Sequence, residues 1–389
     1  MHLPASQPPR LPDPQRPDPQ RPDPQLPAPE APAPPPRSGA PSLVGGFALL
    51  KRHLGWAVTA SYAAAALVPG LGLWLRAAHR LPGVSGLHLS LHVPELLLSL
   101  VLFTAGLQVP LEALGQLLRR PGPLLAGLAL HLAAPLLVVP PLAFALRGTP
   151  DTDGGSGMVA AIILIVAMPV AAGATVWTTK GDGDQPTMVG LVLGSTLLSP
   201  LTVPLTVSLL APLLRGGYAD DVTFAGQVAG SGFAVTGVLL PCGAGLLCRC
   251  LLPLTWRQGL LRTTAPAALL GSLLLTYLNA CGALGAFLSH PRPLLLAGAL
   301  GVAAAVCGLS FATGRFATRI LRMDALAGNS VTLACGMNNS SASAVLISTA
   351  LPGRPHILLP VLAYSLLQKL AASRVVRVRK REPEGAVAR

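Results

Sequence analysis

Two stretches of this 389-residue chain set small and polar residues inside otherwise apolar runs. The first reads Met168-Pro169-Val170-Ala171-Ala172-Gly173-Ala174-Thr175. The second reads Cys335-Gly336-Met337-Asn338-Asn339-Ser340-Ser341-Ala342-Ser343. A helix broken at such a place frees main-chain carbonyls, which suit cations, and half-helix N-termini, which suit anions. Thr175, Asn338, Asn339 and Ser340 add hydroxyls and amides there, so they are candidate substrate ligands. Small residues also permit close helix packing, and for 168–175 alone that reading stands beside the first. Adjacent asparagines in an apolar run are harder to place, because an amide in lipid is costly without a partner. Asn338-Asn339-Ser340 and Asn339-Ser340-Ser341 match the glycosylation sequon, but at membrane depth no transferase reaches them.

Three more residues carry chemistry. His131 lies mid-way along an apolar run, where a histidine could relay a proton; the alternative is a neutral imidazole bonded to a nearby carbonyl. Gln368 and Lys369 sit late in the last apolar run. Lys369 could line a cytoplasmic cavity and pair with a carboxylate or sulfate, with Gln368 beside it. Its alternative is to snorkel to the interface.

The elements that must position these residues follow from composition. The chain is 51% apolar and 11% charged, with a mean hydropathy of +0.59, against about 25% charged in soluble domains. Lipid is the expected solvent. A span needs about 20 apolar residues and internal hydrogen bonding. Ten candidates lie at about 54–75, 93–114, 121–146, 157–179, 187–211, 226–248, 264–285, 293–317, 326–350 and 355–373.

The segments that an inside N-terminus puts inside collect Lys51, Arg52, Arg119, Arg120, Lys180, Arg249, Arg257, Arg262, Arg315, Arg319 and Arg322. By the positive-inside rule both termini are cytoplasmic, and the expected location is the plasma membrane (the inner membrane if bacterial).

The fold expected is all-α and polytopic. Its ten transmembrane helices divide into two inverted five-helix repeats, about 54–211 and 226–373, within a domain spanning 43–376. The fourth span of each repeat carries a break, and paired breaks at corresponding positions are the best sequence pointer to a transporter site. Residues 1–42 form a Pro-rich tail repeating Arg-Pro-Asp-Pro-Gln at 16–20 and 21–25. Such a tract has too little apolar surface to fold, so a disordered cytoplasmic tail is expected, acting as a spacer or binding a partner. Residues 377–389 read as a basic cytoplasmic tail.

Taken together these residues resemble the bile acid:sodium symporter family, over about 60 to 376. The family's Pro before the first break aligns with Pro169, its Gly-Asp turn with Gly183-Asp184, and its Ser-Thr-Leu-Leu-Ser-Pro with Ser195 to Pro200. Its Glu-x-Gly-Met-Gln-Asn-Ser aligns with Ala334 to Ser340. Pro69-Gly70-Leu71-Gly72-Leu73-Trp74 and Phe103-Thr104-Ala105-Gly106-Leu107 also match.

The resemblance implies a panel and a core domain, two broken helices crossing at the site, and an organic anion moved by alternating access. At the family's first sodium site this chain has Ala174, Thr175, Met188, Val192 and Ala334, and only Thr175 keeps an oxygen. At the second site the carbonyls of Cys335 and Met337, the Asn338 amide and His131 remain as candidate ion ligands. A hard cation wants more oxygens than these supply. Sodium is a possible ligand, its coupling in doubt, and no other cofactor is expected.

The function expected is a secondary transporter of an amphipathic organic anion, bile-acid-like or another carboxylate or sulfate. Three other readings stay open: a non-transporting scaffold or sensor, a proton-coupled carrier, or an uncoupled anion exporter. An enzyme is not expected, since no His-Glu-x-x-His, Gly-x-Ser-x-Gly or phosphate-cradling loop occurs. Nucleic acid is excluded as a partner: the net charge of +13 is dispersed between apolar runs, and aromatics are 4%. The six cysteines show no zinc spacing. Expected partners are the anion and the bilayer; the oligomeric state is open.

Overall fold

Apolar runs of this length have two ways to satisfy their backbone in lipid, and this chain takes the helical one. The computed structural model describes residues 50, 53–77, 79–80, 90–112, 115, 119, 121–148, 155–289 and 292–386. The proposed disordered tail lies outside them. The chain divides into Met1–Ala48 and Leu49–Arg389, and every described residue belongs to the second unit.

The helices, in chain order, are α1 (Leu54–Leu67), α2 (Pro69–Arg76), α3 (Val93–Leu107), α4 (Gly122–Ala145), α5 (Ser156–Val166), α6 (Ala174–Lys180) and α7 (Gln185–Leu210). Then come α8 (Tyr218–Val228), α9 (Leu240–Leu251), α10 (Leu254–Ser289), α11 (Pro293–Ile320), α12 (Ala325–Gly336), α13 (Ser340–Ala350) and α14 (Leu358–Ala386). A two-residue antiparallel ladder joins His79–Arg80 to Ser90–Leu91.

Among the described residues, five helices are long and apolar enough to cross a bilayer unaided: those within 122–148, 185–213, 254–285, 293–320 and 355–376. Two bent pairs raise the number to seven. The first, α1 and α2, turns by 93° at Val68. Pro69, the first residue of α2, has no N–H to continue the ladder, and the Tyr277 hydroxyl takes up the Val68 carbonyl at 2.6 Å. The second pair, α8 and α9, is bent by 49° over a π-helical stretch at Ala229–Leu239. Helix α14 runs on to Ala386, into the segment read above as a basic tail.

The shorter apolar helices occupy a different place. Every residue of α5 is buried, as is every residue of α12 from Ala327 on. Helix α5 is mostly apolar all round, as suits a helix inside a protein or a membrane, and with α12 it forms the buried centre of the molecule. Around them α4 packs against α7, α11 and α12, while α11 packs against α12 and α14. On the flank, α3 meets α9 almost backbone to backbone. A Cβ at Gly106 would lie 2.1 Å from the Cys242 carbonyl, and one at Gly245 would lie 2.0 Å from that of Phe103. This is the close approach that small residues allow between helices in lipid.

One end of the molecule is clamped by charge. Arg354 pairs with Asp221 at 3.0 Å and lies 4.2 Å over the Tyr218 ring, and the Tyr218 hydroxyl meets His356 at 2.9 Å. The start of α8 is thereby tied to the turn before α14.

Candidate functional site

The site is built where two helices stop. Helix α5 ends at Val166, and α6 begins at Ala174. Helix α12 ends at Gly336, and α13 begins at Ser340. Pro169 accounts for the first stop, since it has no N–H for a continuing helix. At the second, Asn339 has left the helical region and its side-chain oxygen accepts from the Ala342 N–H at 3.1 Å. An asparagine in that role is a favoured N-cap.

The two breaks satisfy each other. Val170 and Asn338 form an antiparallel bridge. The Ala171 N–H donates to the Met337 carbonyl at 2.8 Å, and the Asn339 N–H donates to the Pro169 carbonyl at 2.9 Å. In an unbroken helix the Asn339 N–H would reach back to Cys335. The Val170 N–H donates to the Ser195 hydroxyl on α7 at 3.0 Å. Three residues from each break thus form an isolated β-bridge in a helical protein.

Side chains converge on the second break from α14. The Asn338 amide donates to the Tyr364 hydroxyl at 3.1 Å, which donates to the Gly336 carbonyl at 2.9 Å. One turn along, the Gln368 amide donates to the Ser340 hydroxyl at 3.1 Å. Tyr364 and Gln368 are four residues apart, so they share a helix face. Three oxygens in this cluster remain without a hydrogen bond: Asn338 Oδ1, Gln368 Oε1 and Ser343 Oγ. Asn338, Gln368 and Ser343 are 2%, 3% and 0% exposed. Buried acceptors without partners are costly, and these suit water, a cation or the polar end of a cargo.

Of the residues singled out from sequence, Asn338, Ser340 and Gln368 come together here, and Asn339 caps the helix beside them. The Met337 carbonyl is taken by Ala171, and Cys335 is buried within α12. His131 is buried on α4, near the main chain of Met168 beside the first break. Thr175 turns its hydroxyl back to the Ala172 carbonyl at 2.8 Å, inside its own turn. Lys369 is half-buried on α14, next to Gln368 in sequence but round the helix from it.

Sequence reasoning missed Tyr364, Ser343 and Ser195 as parts of the site. The four-residue spacing of Tyr364 to Gln368 and the three-residue spacing of Ser340 to Ser343 were the available signals. Ser195 opens the Ser195 to Pro200 motif, but that motif does not say that its hydroxyl meets the first break.

The positions aligned with the first sodium site are filled by packing. Ala174, Met188 and Ala334 are each 0% exposed and belong to the apolar core. Below the crossing, Asn329 of α12 donates to the Gly181 carbonyl at 2.9 Å, and the Ser330 hydroxyl donates to that of Asp184 at 2.9 Å. The turn between α6 and α7 is docked on the second broken helix as well.

Residues 95–290, just over half of the chain, match the sequence model described as the Sodium Bile acid symporter family. The match contains the first break and stops short of the second. A comparison with curated proteins returned no match.

Proposed function

From the premise that this chain belongs to the sodium bile acid symporter family, we propose that it moves an amphipathic organic anion across the membrane by alternating access. The family and the apolar helices make it a multi-pass membrane protein of a transporter family. The finer reading is that ten segments cross the bilayer as two inverted sets of five, with both termini cytoplasmic. The observation that carries it is the backbone bridge between two helix breaks, with unsatisfied buried oxygens gathered beside the second.

Irregular backbone at membrane depth is tolerated only where protein, water or ligand satisfies it. Here each break satisfies part of the other, and a rocking of one helix bundle against the rest would expose the remainder to alternate sides. Asn338, Asn339, Ser340 and Gln368 are the cargo ligands in this reading, with Lys369 offering positive charge near one end of the path.

The ion coupling differs from the family pattern. The oxygens around the second break belong to amides and hydroxyls, and the aligned carboxylate position is Ala334. A neutral ligand set holds sodium less tightly than one with a carboxylate. Transport independent of a sodium gradient is the outcome favoured.

The test is uptake of a conjugated bile acid and other labelled organic anions into proteoliposomes, with sodium and pH gradients imposed separately. Saturable uptake that Asn338→Ala abolishes, with or without a gradient, supports the reading. No uptake of any anion under any gradient, by protein that reconstitutes folded, would overturn it.

A further inference from the structure

A cavity of about 350 Å³ lies away from the two breaks, at the end of α11. Its lining includes Arg315, Arg319, Arg322, Thr318, Asp324 and Asn329. Arg315 and Arg319 are four residues apart on α11, which places them on one helix face. Arg322 stands beyond the helix end with a φ of 48°, the left-handed turn that brings the chain round to α12.

The lining has an excess of positive charge. Asp324 is its one carboxylate, and that group is engaged as the N-cap of α12, accepting from the Leu326 and Ala327 N–H groups at 3.1 and 2.9 Å. Among the described residues no carboxylate forms an ion pair with Arg319 or Arg322. Two arginines line one cavity, and a guanidinium fork matches the geometry of a phosphate.

The surroundings say where that phosphate comes from. On the same turns Phe316, Ile320, Leu321 and Leu326 are 67%, 62%, 53% and 52% exposed. Large apolar side chains so exposed beside arginines describe a surface that meets acyl chains and headgroups together. A soluble anion has no use for that rim. The charge distribution along the chain puts this end on the cytoplasmic side, where anionic lipids gather and basic pockets between helices take their headgroups.

We propose that the Arg315–Arg319–Arg322 cavity binds the phosphate of an anionic phospholipid of the inner leaflet. The site is separate from the cargo site and stands whether or not the anion reading holds. It shares Asn329 with the contact to Gly181, so an occupied cavity also steadies the docking of the α6–α7 turn on α12.

The experiment uses purified full-length protein in detergent, with native mass spectrometry for retained lipid and thermal unfolding as the second readout. Phosphatidylglycerol, phosphatidylcholine of the same acyl chains, and inorganic phosphate are the probes. Phosphatidylglycerol is expected to be retained and to raise the unfolding temperature more than phosphatidylcholine does. Arg319→Ala/Arg322→Ala should weaken that retention about tenfold or more, the loss of charge-assisted contacts. Arg119→Ala/Arg262→Ala, which removes equal charge elsewhere, should leave it unchanged.

Equal response to both lipids overturns the proposal, as does equal loss in both double variants. A shift with inorganic phosphate as large as with phosphatidylglycerol makes the ligand a free anion and overturns the lipid assignment. Should the alanine variant fail to fold, Arg319→Gln/Arg322→Gln removes the same charge and carries the same expectation.

Discussion

The two helix breaks face each other across one antiparallel bridge, yet they contribute different chemistry. Around the first, Val170, Ala171, Ala172 and Gly173 offer little beyond backbone, and its partners are the Ser195 hydroxyl and the opposite break. Around the second, Asn338, Asn339, Ser340 and Ser343 bring side chains that Tyr364 and Gln368 meet from α14. One break supplies dipoles held by geometry, and the other supplies groups that a substitution can remove. A break built from backbone should therefore tolerate side-chain changes and fail when an N–H is lost. A break built from side chains should do the reverse.

The largest effect is expected for Asn338→Leu. It deprives the Tyr364 hydroxyl of its donor and places an apolar fork in the polar cluster. Uptake should fall at least about tenfold, and stability should drop by about 1–3 kcal/mol, the cost of an unmet buried polar group. Unchanged uptake in proteoliposomes would make the second break structural only.

Ala171→Pro tests the first break by its backbone. It removes the N–H that reaches Met337, while the preceding Val170, paired in the bridge, already has the extended conformation proline asks of its neighbour. A loss of about 1–3 kcal/mol in denaturant unfolding is expected. Ala171→Gly, which keeps the N–H, should cost well under half of that; equal losses would break the distinction between the two regions.

Gln368→Leu removes both the bond to Ser340 and an oxygen without a partner. These partly offset, so stability should change by less than about 1 kcal/mol, while uptake falls severalfold if the oxygen serves cargo. Ser195→Ala should cost about 1 kcal/mol through one lost bond, read as a lower unfolding midpoint. The smallest effect is expected for Thr175→Val, because that hydroxyl bonds within its own turn. A change above about 0.5 kcal/mol, or an uptake loss matching that of Asn338→Leu, would return Thr175 to the cargo site.

Much of this was legible in the residues. The apolar runs marked where helices lie, Pro169 and the Asn338-Asn339 pair marked where two of them stop, and Gly183-Asp184 marked the turn whose aspartate caps α7. These are local facts: proline lacks an N–H, an asparagine caps a helix, and twenty apolar residues suit lipid. The bend at Val68 was also written in the chain, as a proline at the start of α2, yet it was read as part of one span. Hydropathy averages over a window and does not register direction.

Other features depended on what lies beside what. No local pattern says that the Asn339 N–H should pass over Cys335 for Pro169, 170 residues earlier in the chain. Tyr364 and Gln368 meet Asn338 and Ser340 because α14 turns that face to the break. The Thr175 hydroxyl instead donates to the Ala172 carbonyl within its own turn.

Composition and breaker residues determined by themselves that this chain is helical, lives in lipid and interrupts two helices. Only the tertiary structure decided that the interruptions pair with each other, which oxygens are left over, and that arginines at the end of α11 enclose a cavity. The reason is one of range. Helix formation and helix ending follow from bonds within a turn or two, whereas the satisfaction of a freed carbonyl depends on which distant segment packs against it.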